Sequence, residues 1–248
     1  MEFVLDKFQQ DAVKSLYQNL NVLVVAPTGS GKTLIAEKAV EKYISEGLNV
    51  IYTTPIKALS NQKYNDFKNL GIETGLLTGD RTINPDSSLI IGTTEILRNM
   101  IFSNDKRLEN IGMVILDEVH YLGDSERGTT WEEIIIHLPK KIKLLSLSAT
   151  IDNKHEFLNW LVSLRGPTHL VESSIRPVPL DVELVATENK NEKIYTIKSS
   201  KNNKNKRTFK FQNKYIKHKK PLMSNQINYL DSKKLTPTIF FYFSRDRV

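Results

Sequence analysis

Short runs of consecutive apolar residues alternate with segments of helical periodicity between residues 6 and 172. Runs of this kind, rich in Val, Ile and Leu, are typical of strands buried on both faces of a parallel sheet. Strands are predicted over 21–26, 49–54, 88–93, 112–117 and 143–148. Helices are predicted over 31–46, 56–69, 94–102, 131–138 and 153–164. The alternation predicts an α/β fold with a doubly wound, mostly parallel sheet.

The pattern changes after Val171. Pro177 and Pro179 exclude a helix, so we expect an extended segment that leaves the sheet. Residues 188–234 are polar and lysine-rich with few apolar residues, and we expect much of this stretch to be mobile. The apolar run at 236–248 predicts a strand. We therefore predict three parts, namely a domain over 1–187, a lysine-rich linker or insert over 188–235, and the first strand of an incomplete second domain over 236–248.

The charge of the 248-residue chain is unevenly distributed. Residues 1–187 hold 19 Lys and Arg against 24 Asp and Glu, whereas residues 188–248 hold 16 against 4. A basic block favours a polyanionic partner, although a solvated linker would have the same composition. The chain has no cysteine, which excludes disulfides and thiolate metal sites. It has no apolar stretch near the ~20 residues of a membrane span, and we expect a cytoplasmic protein with no membrane partner.

The segment VVAPTGSGKT, residues 24–33, follows a predicted strand and opens a predicted helix. It matches a phosphate-binding loop in which Ala26 replaces the usual first glycine. Glycines let the backbone turn its N–H groups toward phosphate oxygens, and Lys32 can reach the β- and γ-phosphates. Thr33 can supply a hydroxyl to Mg²⁺. The predicted nucleotide-binding residues of this loop are Ala26, Pro27, Thr28, Gly29, Ser30, Gly31, Lys32 and Thr33.

Two carboxylates stand at the end of the apolar run 112–117. Asp117 is placed to hold Mg²⁺, and Glu118 to orient and deprotonate an attacking water. A single Asp at a strand end is often only a helix cap. An Asp-Glu pair about 85 residues after a phosphate-binding loop points instead to nucleotide hydrolysis. We expect His120 to contact the following loop and to transmit the state of the nucleotide.

With these two elements placed, the chain resembles a superfamily-two helicase of the DExH-box type, here DEVH, and specifically the superkiller-like, exosome-associated RNA helicases. The resemblance covers residues 5–182 and rests on the joint order of several motifs, each only suggestive alone. These are FQQDA (8–12), APTGSGKT (26–33), TTPIKALSNQKY (53–64), LTGD (77–80), GTTEILRNM (92–100), DEVHYLGDSERGTTWEEIIIHLP (117–139), LSATI (147–151) and IRPVPL (175–180). It implies the N-terminal RecA-like domain of such an enzyme.

The resemblance also implies roles for further residues. Phe8 and Gln9 would contact adenine, and Ser148 and Thr150 would hydrogen-bond to the region of His120 and couple the two sites. Nucleic-acid contacts would come from residues that follow strands or open helices, although such residues also serve as caps and turns. They are Thr54, Pro55, Lys57, Thr78, Gly79, Thr93 and Thr94.

The function implied is that of an ATP-dependent RNA helicase that uses ATP and Mg²⁺ and binds a single-stranded region. RNA rather than DNA follows from the resemblance alone, as do protein partners in an RNA-processing complex. The family's arginine finger belongs to a second RecA-like domain, and no equivalent motif precedes Val248. We therefore expect weak ATP hydrolysis from this chain by itself. The alternatives are a nucleotide- and nucleic-acid-binding module with little turnover, a DNA helicase, or another P-loop machine, which the motif at 53–64 disfavours.

Overall fold

The computed structural model describes residues 4–123, 128–151, 153–179, 183–186, 195–198, 200–201, 207–208 and 222–241. The chain forms two compact units, Met1–Val178 and Pro179–Val248. The first unit ends at Val178, whereas the sequence pattern predicted a first domain that ends at residue 187. Within the described ranges, no helix has both the length and the apolar character needed to cross a bilayer.

The first unit contains an eight-stranded sheet and six helices among its described residues. Its strands are β1 (Asn21–Val25), β2 (Asn49–Thr54), β3 (Thr74–Leu77), β4 (Thr82–Ile83), β5 (Leu89–Thr93), β6 (Ile111–Leu116), β7 (Lys143–Ser148) and β8 (Thr168–Glu172). Its helices are α1 (Lys7–Tyr17), α2 (Lys32–Ser45), α3 (Lys57–Asn69), α4 (Thr94–Phe102), α5 (Gly128–His137) and α6 (Lys154–Arg165). Short 3-10 turns lie at Lys106–Asn110 and Val119–Gly123.

The strand order is β4-β3-β5-β2-β6-β7-β1-β8, and every neighbouring pair is parallel except β3 with β4. The predicted α/β class and mostly parallel sheet are confirmed. Four elements were not predicted. β3 and β4 are very short, β8 is buried at only one of its five residues, and α1 is largely polar with apolar side chains four residues apart. None of these has the long apolar run or the wide apolar face on which the prediction depended.

Each face of the sheet carries its own apolar core. One core joins side chains of α1, α2 and α3 to the sheet, among them Leu16, Ile35 and Phe67. The other joins α4, α5 and α6 to the opposite face, among them Leu97 and Trp131. Because helices cover both faces, the central strands are fully buried, which explains their continuous apolar sequences.

The described parts of the second unit contain β9 (Glu183–Ala186) paired antiparallel with β10 (Tyr195–Lys198), the two-residue pair β11 (Ser200–Lys201) and β12 (Arg207–Thr208), and α7 (Met223–Ser232). Regular structure therefore occurs within the lysine-rich stretch. The strand predicted over 236–248 is wrong for its described part, since residues 236–241 form no strand. Ile239 and Phe241 are 78% and 82% exposed, and an unpaired strand has nothing to stabilise it. Residues 242–248 lie outside the described residues.

Candidate functional site

The carboxyl ends of the strands divide into two adjacent groups along the sheet. β1 and β6 lie on either side of β7, so the loop 26–31 after β1 and the acidic pair after β6 meet across the end of β7. β3, β5 and β2 are neighbours on the other side of β6. Ligands of open α/β sheets bind beyond these strand ends, so the topology creates two neighbouring candidate sites.

The loop after β1 has the backbone shape that its two glycines allow. Gly29 and Gly31 have φ of +82° and +83°, values that other residues rarely adopt. Ala26 is buried, and its N–H donates to Ser148 O at 3.1 Å, which joins the loop to β7. The loop then leads directly into α2, whose positive dipole end faces the same space.

Lys32 lies folded back on this loop. Its Nζ donates to Ala26 O at 2.8 Å and to Pro27 O at 3.2 Å. Burial lowers the pKa of Lys32, while the negative charges of Glu118 and Asp117 act in the opposite direction. Lys32 follows β1 and the acidic pair follows β6, the two strands on either side of β7, and their action on one nucleotide stays a prediction.

Asp117 is oriented by two hydrogen bonds. The Tyr52 hydroxyl donates to Asp117 Oδ2 at 2.6 Å, and the N–H of Glu118 donates to Asp117 Oδ1 at 3.0 Å. Burial, followed by the charge and hydrogen bond of Asp117, raises the pKa of Tyr52 well above its usual range, so Tyr52 remains a donor at neutral pH. Tyr52 is thus a site residue that the sequence analysis missed. Its only signal was a phenol inside the predicted strand 49–54.

Glu118 has the left-handed backbone conformation, with φ of +58°. Non-glycine residues with this φ are uncommon and occur often at functional sites. Its Oε2 is buried and has no hydrogen-bond partner among the described residues. His120 Nδ1 lies 3.3 Å from this oxygen but also accepts from Ala149 N–H at 3.5 Å. His120 Nδ1 therefore lies between a backbone N–H and a carboxylate oxygen, and Oε2 has no hydrogen-bond partner among the described residues.

The link between His120 and the loop after β7 differs from the one expected. Ala149 N–H makes the contact, whereas the Ser148 hydroxyl is buried without a hydrogen-bond partner among the described residues. Thr150 is exposed. The expected hydrogen bond from Ser148 to the His120 region is therefore wrong for this structure. A backbone N–H beyond the strand end reaches the imidazole, while the Ser148 side chain is directed into the protein.

Gln9 connects α1 to the phosphate-binding loop. Its Nε2 donates to Gly31 O at 3.2 Å and to Ser30 O at 3.4 Å, and its Oε1 accepts from Asp6 N–H at 2.8 Å. Phe8 lines a cavity of about 460 Å³ beside this contact, together with Ser30, Ile175 and Pro177. The cavity lies next to the loop, where a base attached to a bound phosphate could be accommodated.

The residues of this site fit a magnesium ion. Mg²⁺ binds oxygen ligands, typically one or two carboxylates or hydroxyls together with phosphate and water. The Thr33 hydroxyl and the Asp117 carboxylate supply such oxygens, and the unpartnered Oε2 of Glu118 can accept a hydrogen bond from a water. The predicted ligands Thr33 and Asp117 are thus chemically suited to the ion.

The second group of strand ends forms a groove of about 410 Å³. Four of the seven predicted nucleic-acid residues line it, namely Pro55, Lys57, Gly79 and Thr93. Lys57 Nζ lies 3.1 Å from Asp80 Oδ1, with both side chains more than half exposed. The groove therefore contains a cation whose present partner is a solvent-exposed carboxylate.

The other three predicted residues are buried and do not line the groove. The Thr54 hydroxyl donates to Ile56 O at 3.0 Å, and the Thr78 hydroxyl donates to Asp80 Oδ1 at 2.9 Å. Thr94 is 2% exposed in the first turn of α4. The hydroxyls of Thr54 and Thr78 thus make hydrogen bonds within the loops, and contact of any of the seven residues with nucleic acid stays a prediction.

A family model described as DEAD/DEAH box helicase matches residues 6–157. The chain is 48% identical over 187 residues to the DExH-box ATP-dependent RNA helicase DExH15, chloroplastic, of Arabidopsis thaliana, covering 72% of this chain and 16% of that protein. It is 46% identical over 179 residues to the exosome RNA helicase MTR4 of Homo sapiens, covering 72% and 17%. The chain thus spans less than a fifth of the length of these relatives.

Solved structures share the fold. The DUF1998 helicase MrfA bound to DNA and AMPPNP aligns with a TM-score of 0.59 at 22% identity, over 68% of this chain and 27% of that one. The helicase domain of Hef from Pyrococcus furiosus aligns with a TM-score of 0.53 at 22% identity, over 67% and 38%. At this identity the likeness concerns the arrangement of the sheet and helices.

Proposed function

Because the chain belongs to the DEAD/DEAH box helicase family, we propose that its first unit is the nucleotide-binding motor domain of an ATP-dependent RNA helicase. The single observation that carries the proposal is the convergence of Lys32 with Asp117 and Glu118 across the end of β7. A half-buried lysine and two carboxylates at a phosphate-binding loop are the arrangement that phosphoryl transfer to water requires.

The chain's own residues account for binding and for water activation. On binding, Lys32 exchanges the carbonyls of Ala26 and Pro27 for phosphate oxygens, so the bound charge replaces weaker neutral acceptors. Mg²⁺, held by Thr33 and Asp117, would neutralise charge on the phosphates. Glu118 Oε2 accepts a hydrogen bond from the attacking water and then its proton.

His120 and the two residues near the adenine, Phe8 and Gln9, have further roles in this proposal. His120 lies between Glu118 Oε2 and the Ala149 N–H, so a change at Glu118 on hydrolysis is transmitted to the loop after β7. Phe8 would pack against the base in the adjacent cavity that it lines, and Gln9, which holds the phosphate-binding loop, would exchange one of its hydrogen bonds for one to adenine. Loop residues Ala26–Gly31 offer backbone N–H groups to the phosphates.

The groove at the ends of β2, β3 and β5 is the proposed site for single-stranded RNA. Lys57 supplies a cation, and the loops of Gly79 and Thr93 supply backbone groups to sugar and phosphate. We propose RNA rather than DNA as the bound strand because the relatives are named RNA helicases. The basic segment 188–235, proposed as a linker or insert, adds charge-driven affinity. A role in RNA processing with protein partners, and a cytoplasmic location, belong to the same proposal.

Two substitutions test the assignment in the 248-residue chain. Lys32→Ala should abolish ATP binding, with Lys38→Ala on the same helix as control. Glu118→Gln should retain ATP binding but lose hydrolysis by about 10²-fold or more, since a general base contributes roughly that much. Glu109→Gln, before the opposite end of β6, is its control. ATP binding that survives Lys32→Ala would refute the proposal.

The same assays separate an enzyme from a binding module. ATP hydrolysis is measured with and without single-stranded RNA, and again with DNA of the same sequence. Hydrolysis that RNA stimulates and Glu118→Gln removes supports the motor. ATP and RNA binding without any hydrolysis favours the binding module. Equal stimulation by DNA would remove the preference for RNA.

A further inference from the structure

Lys63 reaches the phosphate-binding region from a different helix. It lies on α3, and its Nζ donates to Thr33 Oγ1 at 2.9 Å. Its side chain is half-buried. Lys63 stands within the motif at 53–64, but no role was predicted for it. The contact joins α3 to the first turn of α2, two helices that otherwise carry different sites.

The Lys63 ammonium also lies near Tyr52 of β2. Its Nζ is 5.9 Å from the centre of the Tyr52 ring, and the Tyr52 hydroxyl donates to Asp117 Oδ2. The two groups assigned to Mg²⁺, Thr33 and Asp117, are thus linked through Lys63 and Tyr52.

A divalent ion and Lys63 compete for the same place. A metal that takes Thr33 as a ligand uses the hydroxyl oxygen that now accepts from Lys63. An ammonium and a divalent cation this close repel each other, and the repulsion is strongest where burial reduces solvent screening. Lys63 must therefore release Thr33 when the metal arrives.

The residue that contacts Thr33 and a residue that lines the groove both belong to α3. Lys57 begins α3 and lines the groove, and Lys63 follows six residues later. The rise of an α-helix places the two about 9 Å apart along the axis. Lys57 and Lys63 are thus separated by less than two turns of one helix.

We propose that Lys63 occupies the cation position of the nucleotide site while metal is absent, and that its release from Thr33 on binding of Mg²⁺-nucleotide couples this site to the groove through α3. The proposal rests on the proposed function, since it assumes that Thr33 receives a metal. It makes Lys63 a positioning residue.

The test measures binding of the non-hydrolysable analogue AMPPNP to the chain with Mg²⁺ and with EDTA. Lys63→Met removes the charge and keeps a long side chain. Lys68→Met is the matched control, since Lys68 lies on the same helix 5.8 Å from the ring of Tyr64 and away from Thr33. The metal benefit, the ratio of the Kd in EDTA to the Kd in Mg²⁺, should rise by about fivefold or more in Lys63→Met, because no ammonium must be displaced.

The second measurement is the affinity for a single-stranded RNA, with and without Mg²⁺-AMPPNP. The factor by which Mg²⁺-AMPPNP changes this affinity should move toward one in Lys63→Met and stay at the wild-type value in Lys68→Met. Lys63→Arg keeps the charge and should preserve both the metal benefit and the coupling factor. Thermal unfolding of all variants verifies that they are folded.

The outcomes separate this inference from the proposed function. A wild-type metal benefit and coupling factor in Lys63→Met would overturn the inference alone. A smaller metal benefit in Lys63→Met would also overturn it, because Lys63 would then help to load the metal. Lys63→Arg behaving like Lys63→Met would exclude the charge as the cause. No binding of AMPPNP by the wild type in either buffer would overturn the proposed function together with this inference.

Discussion

The Tyr52 hydroxyl donates a 2.6 Å hydrogen bond to Asp117 Oδ2, and through it β2 reaches the acidic end of β6. Tyr52 pairs with Ile115 in the register of these strands, so its ring lies beneath the strand end. β2 leads to the groove and β6 leads to the nucleotide site. One buried phenol therefore lies at the boundary between the two sites.

Tyr52→Phe should lower the free energy of unfolding by about 1.5–3 kcal/mol, the usual contribution of a hydrogen bond to a charged group. It should also weaken Mg²⁺-nucleotide binding, because Asp117 loses a bond that orients it. Tyr43→Phe is the matched control, since Tyr43 is equally buried and its hydroxyl has no hydrogen-bond partner among the described residues. Urea unfolding and calorimetric titration measure both effects. Equal losses in the two variants would contradict the role of the hydroxyl.

Gly31→Ala should destabilise the protein more than Gly29→Ala. Both positions have φ near +80°, so both variants bear a strain of about 1–2 kcal/mol. A Cβ at Gly29 meets open space, whereas a Cβ at Gly31 would lie 2.6 Å from Gln9 Nε2. Gln9 would have to leave the loop, and its two hydrogen bonds would be lost. In a Gln9→Ala background the two glycine-to-alanine substitutions should lower the free energy of unfolding by the same amount. Urea unfolding curves measure this.

Lys57→Ala should weaken RNA binding and reduce the slope of log K against log salt by about 0.7, the value for one phosphate contact with a single strand. Asp80→Asn should strengthen binding, because a phosphate no longer competes with Asp80 for Lys57. Fluorescence anisotropy of a labelled RNA, at salt concentrations from about 50 to 200 mM, measures the affinity and the salt slope of both variants. Unchanged slopes in both variants would show that the groove does not bind the strand.

Arg165→Met should cost about 3 kcal/mol or more of stability, since several buried carbonyls lose a charged donor. Arg165 is 7% exposed and donates to Leu138 O, to Pro139 O at 3.0 Å and to Ile142 O at 2.7 Å. Lys141→Met removes one exposed bond, to Glu109 O, and should change stability by no more than about 0.5 kcal/mol. Chemical unfolding compares them. Similar small losses would show that the loop after α5 does not depend on Arg165.

Local sequence was sufficient for the elements whose side chains face a single environment along their length. β1, β2, β5, β6 and β7 are buried nearly throughout, so their apolar runs predicted them within a residue. The phosphate-binding loop and the acidic pair were visible because each depends on residues that are close in sequence. β8 and α1 were missed because neighbours in the fold, rather than their own composition, hold them in place.

The sequence by itself determined the α/β class, the phosphate-binding loop and the acidic pair, because these follow from short-range patterns of apolar, glycine and charged residues. Only the tertiary structure decided which groups meet: Tyr52 with Asp117, Lys63 with Thr33, Gln9 with the loop carbonyls, and the Ala149 N–H rather than the Ser148 hydroxyl with His120. These contacts join residues 22 to 65 positions apart in the chain. The order of strands in the sheet brings such residues together, and that order is set by packing over the whole domain.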